Sequence, residues 1–209
     1  MTLKRILVGS LVTNCYVLLF SDRAAVIDPG DMPDKIIRAC EGLPVTDILL
    51  THGHMDHVGA LADLAERFQP TVRIHKEDLP FLNNDNLRAP SMPKESWWRY
   101  DLRVTHTFRD GDRIRLGGDS DGIELTVIHT PGHTPGSSCF YNAENAVLIS
   151  GDTLFRGAEG RTDFPLSDRN TMKHSLKRLS AFPAETTVLP GHGFGTNIGT
   201  EDWIGRCDP

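Results

Sequence analysis

Short apolar runs that end directly in histidine or aspartate recur along this 209-residue chain, and they constrain its fold more than any other feature. The densest case follows the run 48–50, where three histidines and one aspartate fall within six residues. Such runs are typical of buried strands. Because active sites in layered α/β folds are commonly built at strand ends, we expect these polar residues to converge on one edge. They are His52, His54, Asp56, His57, His133, Asp152 and His192.

The 52–57 corner indicates a metal site. Imidazole nitrogen and carboxylate oxygen are donors that zinc-class ions accept. Burying such groups without partners is costly, which disfavours a purely structural role. A catalytic zinc takes about three protein ligands and keeps one position open, so four donors from one corner exceed the share of one ion. The corner therefore predicts two metals. Isolated histidines more often are solvated or hydrogen-bonded, and we leave four of them out of the metal shell: His75, His106, His129 and His174.

Composition limits the classes of function. The chain has 22 Lys and Arg against 28 Asp and Glu, a net charge of -6, and no basic run, so we expect no nucleic-acid partner. No stretch is long and apolar enough to span a membrane. The four cysteines form no CxxC pair, which favours a reducing compartment, and we expect a cytoplasmic protein. We expect a small-molecule substrate and a monomer or small homo-oligomer.

The pattern of apolar residues predicts alternating strands and helices in the first half and mainly strands in the second, hence two sheets. Predicted strands are 4–8, 16–20, 24–27, 47–50, 71–75, 103–108, 113–116, 123–128, 146–150 and 187–189. One predicted helix is capped by Asp31 and ends at Gly42. Two more span 58–68 and 170–182, and residues 76–82 are predicted to form one or two helical turns. The segment 83–101 is irregular and is either a lid or pocket wall, or a place where Trp97 and Trp98 cap the core.

Six motifs in order resemble those of the metallo-β-lactamase superfamily, and within it the short glyoxalase II group of hydroxyacylglutathione hydrolases. They are TNCY (13–16), IDPG (27–30), THGHMDH (51–57), TPGHT (130–134), SGD (150–152) and PGHG (190–193). The resemblance implies an αββα sandwich, two mixed sheets face to face with helices outside. It also implies a single domain over residues 1–209, without the C-terminal helical substrate domain of longer glyoxalase II proteins.

The same resemblance implies a ligand set. One ion would be bound by His52, His54 and His133, and a second by Asp56, His57 and His192. Asp152 would bridge the two ions. Asp56 and Asp152 are thereby the candidate catalytic residues, and Asp28 is a candidate for orienting a ligand. We expect two divalent ions, zinc foremost, although histidine and aspartate donors suit iron and manganese as well.

The implied reaction is hydrolysis of a glutathione-type thioester by a metal-bridging hydroxide. Arg156 or Arg161 could anchor a substrate carboxylate, and an ion pair with Glu159 or Asp163 is the alternative role of these arginines. Other functions remain open. The run 160–164 is similar to one in persulfide dioxygenases, which use a single iron. Lactone or other ester hydrolysis needs the same two-metal apparatus. A β-lactamase is disfavoured because His57 stands where many of those enzymes have another residue. A metal-stabilised binding module is disfavoured because seven donors without cysteine indicate open coordination.

Overall fold

Two six-stranded β-sheets pack face to face at the centre of the molecule. The computed structural model describes residues 1–89 and 102–207. The strands are β1 (Thr2–Val8), β2 (Thr13–Leu19), β3 (Ala24–Ile27), β4 (Val45–Leu49), β5 (Thr71–His75), β6 (His106–Phe108), β7 (Arg113–Leu116), β8 (Ile123–His129), β9 (Ser138–Asn142), β10 (Val147–Gly151), β11 (Leu154–Phe155), β12 (Ala158–Glu159), β13 (Thr187–Pro190) and β14 (Thr196–Asn197). The helices are α1 (Pro33–Ala39), α2 (Met55–Val58), α3 (Leu61–Phe68), α4 (Leu79–Leu82), α5 (Asp85–Arg88) and α6 (Arg169–Leu179), with 3-10 turns at Lys76–Asp78 and Asp202–Arg206.

Both sheets are mixed. The first has the order β1-β2-β3-β4-β5-β6, antiparallel up to β3 and parallel from β3 onwards. The second has the order β14-β13-β10-β9-β8-β7. Its strands β8 and β10 both run antiparallel to β9, and β13 runs parallel to β10. β8, β10 and β13 therefore point the same way, so the loops that follow them emerge at one edge.

Side-chain alternation along β2 divides the core into layers. Tyr16 and Leu18 face the interior between the sheets, where they pack with residues of the second sheet such as Phe140. Val17 and Leu19 face the opposite side and pack with residues of α1 and α3. This period of two is the expected geometry of a strand that is buried on both faces.

The outer face of the second sheet is covered by α6. Met172, Leu176 and Leu179 of that helix pack on Leu148 and Val188 of the sheet. Helices thus lie outside both sheets, and the predicted αββα sandwich is confirmed. None of the helices in the described part of the chain has the length and apolarity of a membrane span.

Several element boundaries differ from the prediction. The strand predicted at 103–108 is limited to His106–Phe108, and it belongs to the first sheet, paired with β5. The helix predicted at 58–68 is two helices, of which the short α2 contains Asp56 and His57. Asp31 does not cap α1. The N-cap is Met32, and Asp31 only accepts a hydrogen bond from the Met32 backbone N–H.

Other elements were not predicted. β9 is a central strand of the second sheet, but its short sequence begins and ends in polar residues, Ser138 and Asn142. The irregular segment predicted at 83–101 contains α5, and its part from residue 90 onwards, with Trp97 and Trp98, lies outside the described residues.

Candidate metal centre

The seven candidate ligands meet where the loops after several strands come together. Asp28 follows β3, and the 52–57 corner follows β4, its neighbour in the first sheet. On the second sheet His133, Asp152 and His192 follow β8, β10 and β13. Because those three strands share a direction, their loops meet the histidine corner across the gap between the two sheets.

Three overlapping groups of donors have the spacing of metal ligands. Within each group the candidate ligand atoms lie within 4.8 Å of one another. The groups are His52, His54 and His133; Asp56, His57 and His192; and His52, His57 and Asp152. The first two groups have the composition expected for two separate ions, and the third connects them.

Asp152 faces both of the first two groups. Its Oδ1 lies 3.4 Å from His57 Nε2, while its Oδ2 lies 3.6 Å from His133 Nε2 and 3.5 Å from His192 Nε2. A carboxylate in this position has an oxygen available to each of two ions. The geometry is that of a candidate bridging ligand.

The carboxylate of Asp28 determines the orientation of two imidazoles. Its Oδ2 lies 2.9 Å from His57 Nδ1, and because a carboxylate only accepts, Nδ1 carries the proton. The same carboxylate oxygen accepts a hydrogen bond from Thr51 Oγ1 at 2.7 Å. Thr51 Oγ1, 3.1 Å from His52 Nδ1, can then only accept from that nitrogen. The lone pairs of His57 Nε2 and His52 Nε2 are thereby turned towards the donor groups.

Backbone carbonyls orient two further imidazoles in the same way. His133 Nδ1 donates to the Arg161 carbonyl at 2.8 Å, and His192 Nδ1 donates to the Leu11 carbonyl at 3.1 Å. The protonated nitrogen is again the one that points away from the centre. His54 presents the other nitrogen, since its Nδ1 lies 2.8 Å from His133 Nε2. Its ring is held edge-on against Phe81 and Phe164.

Unpartnered buried atoms test whether a metal fits. His52 Nε2, His57 Nε2 and Asp152 Oδ1 are buried and have no hydrogen-bond partner among the described residues. Buried polar atoms of this kind are costly unless something satisfies them. The three belong to the group that connects the two triads, so cations bound by the triads would satisfy them. The donor set therefore fits divalent ions.

The two triads differ in protonation. Burial, followed by the neighbouring imidazoles, lowers the pKa of His52 well below its usual value, and burial lowers the pKa of His54 to about 3. At His57 burial opposes protonation, but Asp56, Asp152 and Asp28 raise its pKa well above the usual value. The pKa of Asp56 is lowered, because His57 and His192 outweigh the effect of its burial.

A family model describes this chain well. The model of the metallo-beta-lactamase superfamily matches residues 8–192. This chain belongs to the metallo-β-lactamase superfamily. The superfamily placement identifies the chain as a metallohydrolase-type enzyme with a His and Asp cluster for divalent metal.

Three superfamily relatives are informative. The hydroxyacylglutathione hydrolase GloC of Haemophilus influenzae is 34% identical, over 96% of this chain and 95% of its own. TTHA1623, solved in a di-iron-bound form, is 40% identical with a TM-score of 0.81, over 99% of this chain and 98% of its own. The B3 metallo-beta-lactamase BLEG-1 is 33% identical with a TM-score of 0.87, over 96% of both chains.

Five of the seven donors of this superfamily member line the floor of a cleft of about 350 Å³, namely His54, Asp56, His133, Asp152 and His192. Leu11, Phe155 and Phe164 form apolar parts of its wall, and Arg161 is also in the wall. The guanidinium of Arg161 makes a bidentate ion pair with Asp163 and lies 4.2 Å from the ring centre of Phe164.

The two arginines singled out in the sequence therefore differ in position. Arg161 forms the ion pair with Asp163 that the sequence analysis gave as its alternative role. Arg156 is exposed and is not among the described residues that line the cleft.

Residues of the 13–16 motif support the centre, although the sequence gave them no role. Thr13 Oγ1 donates to Asp56 Oδ2 at 3.0 Å, and Asn14 Nδ2 donates to the Pro190 and Gly193 carbonyls on either side of His192. Gly191 is required by close approach, because a Cβ there would lie 2.2 Å from Asp152 Oδ1. The match of residues 13–16 to a family motif was the sequence feature that could have pointed to this role. The contacts of Asn14 are with residues 176 and 179 positions away, so only the fold shows them.

Replacement of Thr51 by valine should weaken metal binding. Valine keeps the shape of threonine but removes the hydroxyl that links Asp28 to His52, so the tautomer of His52 is no longer fixed. We expect about a 10-fold or greater loss of affinity for one ion, measured by chelator competition on metal-free protein. Thr51→Ser retains the hydroxyl and is the control. Equal affinities for the valine and serine variants would contradict the link.

Acid should weaken the two candidate sites unequally. The imidazoles of the His52 triad have lowered pKa values and are already neutral, so an ion displaces few protons there. His57 and His192 have raised pKa values, so an ion must displace protons, and affinity for it falls as pH falls. Metal titrations of metal-free protein at about pH 6 and about pH 8 should show one steeply and one weakly pH-dependent site. Parallel pH dependence of the two affinities would contradict this assignment.

Proposed function

We propose that this protein is a two-metal hydrolase that cleaves the thioester of a small thiol of the glutathione type. The observation that carries the proposal is the sharing of Asp152 between two ligand-spaced triads on the floor of one cleft. A structural metal site would be closed and four-coordinate, commonly with cysteine. These triads contain no cysteine and face a cleft, which supports catalysis.

Two bound ions would supply a water that ionises near neutral pH and positive charge for a developing oxyanion. His52, His54 and His133 would hold one ion, and Asp56, His57 and His192 the other, with Asp152 between them. The residues of the chain fix where a carbonyl substrate meets this charge. Their lone pairs are already oriented by Asp28, Thr51 and two backbone carbonyls, so little reorganisation is needed on binding.

Asp56 and Asp152 are carboxylates at neutral pH and hold no proton of their own to donate. The pKa values of both carboxyl groups are lowered, against the effect of burial, by His57 and other imidazoles. Both are therefore ionised at neutral pH and reach the cleft. Either carboxylate can accept a hydrogen bond from an attacking water and so orient it.

The lack of a proton donor favours a thiolate leaving group. Of the titratable residues described in the cleft, His54 and His133 have lowered pKa values and the aspartates are ionised. A ligating His192 has no free proton to give at its Nε2, and the guanidinium groups of Arg88 and Arg161 do not give up a proton. Thiols ionise near pH 8.5, so a thiolate can depart without protonation. An alkoxide or amide nitrogen would need a proton. This distinction supports a thioester over a lactone.

The cleft wall and the relatives support a glutathione-type thiol. GloC of Haemophilus influenzae is named a hydroxyacylglutathione hydrolase, and it is 34% identical to this chain. Arg161 at the cleft could meet a substrate carboxylate if its ion pair with Asp163 opened, since both side chains are about two-thirds exposed. Phe164 beneath the guanidinium would keep that side chain at the cleft.

The resident metal is proposed to be zinc, with iron as its competitor. Imidazole and carboxylate donors accept both ions. The 40% identity to TTHA1623, solved with two irons, supports iron as an occupant of the same donors.

A second candidate is β-lactam hydrolysis. The resemblance to BLEG-1, a B3 metallo-beta-lactamase, extends over 96% of both chains. The same hydroxide and the same positive charge would act on a strained amide carbonyl. The absence of a described proton donor in the cleft is the reason we place it second.

The first test pairs metal content with an assay of S-lactoylglutathione hydrolysis on protein purified without added metal. We expect close to two ions per chain and thioester turnover. One iron per chain, no hydrolysis, and oxygen uptake on glutathione persulfide would replace the proposal with a persulfide dioxygenase. Faster turnover of a β-lactam or a lactone than of the thioester would reassign the substrate class.

Asp152→Ala should abolish most of the turnover while the fold is retained. The substitution removes a carboxylate that faces both triads, so we expect thioester hydrolysis to fall more than about 100-fold. Circular dichroism and urea unfolding check the fold. The control is Asp202→Ala, a carboxylate that is exposed and pairs with Arg206 on the surface. Wild-type activity in Asp152→Ala would remove the bridging role.

A further inference from the structure

Asp78 is a buried carboxylate that no step of the proposed reaction uses. It ends the 3-10 turn after β5, and its side chain is fully shielded from solvent. Its Oδ2 accepts hydrogen bonds from the Gly53 N–H at 2.9 Å and from Thr134 Oγ1 at 2.8 Å. Its Oδ1 accepts from the Gly136 N–H at 2.6 Å. All three donors are uncharged.

These donors belong to the two loops that carry the first metal triad. Gly53 lies between His52 and His54 in the loop after β4. Thr134 directly follows His133 in the loop after β8. The loops extend from different sheets, and the side chain of Asp78 joins them through three hydrogen bonds. Asp78 thereby brings two imidazoles together indirectly. His54 Nδ1 lies 2.8 Å from His133 Nε2.

The surroundings leave the carboxylate little freedom. A Cβ on Gly136 would lie 2.6 Å from Asp78 Oδ1, so the backbone approaches as closely as a glycine allows. A Cβ on Gly53 would lie 2.5 Å from Phe81 Cβ on the other side of the loop. Burial raises the pKa of Asp78 to about 6 despite the hydrogen bonds. Burying a carboxylate without a described cationic partner is unfavourable. The function of this carboxylate is therefore to be sought in its three hydrogen bonds to the two loops.

We infer that Asp78 is a positioning residue that sets the spacing between the 52–54 loop and the 133–136 loop, and so the affinity for an ion held by His52, His54 and His133. It acts through backbone and hydroxyl donors and touches no ligand itself. The inference rests on the two-metal centre of the proposed function. It differs from the role of Asp28, which bonds directly to His57.

The test is Asp78→Asn, compared with the wild type in metal titrations of metal-free protein. An amide has one acceptor oxygen, and its NH₂ group would face at least one backbone N–H, so one loop contact is lost with little change of volume. We expect the affinity for one ion to fall about 10- to 100-fold, while the other stays within about threefold of wild type. The d–d absorption of cobalt(II)-loaded protein should change for one ion only.

A matched control separates positioning from general destabilisation. Asp47→Asn removes an ion pair with Arg73 within the first sheet, away from the centre. It should lower resistance to urea while leaving both metal affinities at wild-type values. If Asp78→Asn binds both ions as the wild type does, or weakens both equally, the inference is wrong.

A milder variant covers the case in which Asp78→Asn does not fold. Thr134→Val keeps the shape but removes one of the three hydrogen bonds to Asp78, together with the contact of the same hydroxyl with Ser137. Thr134→Ser restores the hydroxyl. We expect a selective weakening of one ion for valine and recovery for serine, and equal affinities in the two would overturn the inference. Failure of the function itself is distinguishable, because wild-type protein that binds only one ion contradicts the two-metal proposal whatever the variants do.

Discussion

The hydrogen bonds of the Asp28 carboxylate are the interaction on which the candidate centre depends. Asp28 is almost fully buried and holds His57 directly and His52 through Thr51. An imidazole has one lone pair in its neutral form, and its position decides whether the ring can bind a cation. Had Asp28 been apolar, both rings could present an N–H to the centre. His133 and His192 satisfy the same requirement with backbone carbonyls.

The fold makes this arrangement possible because strand direction brings distant loops together. β8, β10 and β13 point the same way, so His133, Asp152 and His192 meet at one edge. The packed layer between the sheets fixes that edge opposite the histidine corner. Burying many polar groups is unfavourable for the metal-free chain, and part of the cost is offset by the apolar layers on either side.

Local pattern predicted two sheets, because apolar runs mark their strands, and the residues that end those runs are the seven candidate donors that the structure brings together. It predicted poorly what depends on distant partners. The strand at Ser138–Asn142 is polar at both ends, and only its place between β8 and β10 makes it a strand. Asp78 stands in an unremarkable acidic turn. Its role depends on Gly53, Thr134 and Gly136, which only the folded chain brings to it.

In the proposed hydrolase, substrate choice would reside in the cleft wall, because the candidate metal donors would act in the same way on different carbonyl compounds. GloC and BLEG-1 are named for different substrates, yet each resembles this chain over at least 95% of its own length. Hydrolysis of a thioester, a lactone or a β-lactam would need the same two things, an activated water and a positive charge that stabilises the oxyanion. The discriminating groups are then the side chains above the floor, among them Leu11, Phe155, Arg161 and Phe164. Changes to that wall should alter relative rates between substrates while metal content stays the same.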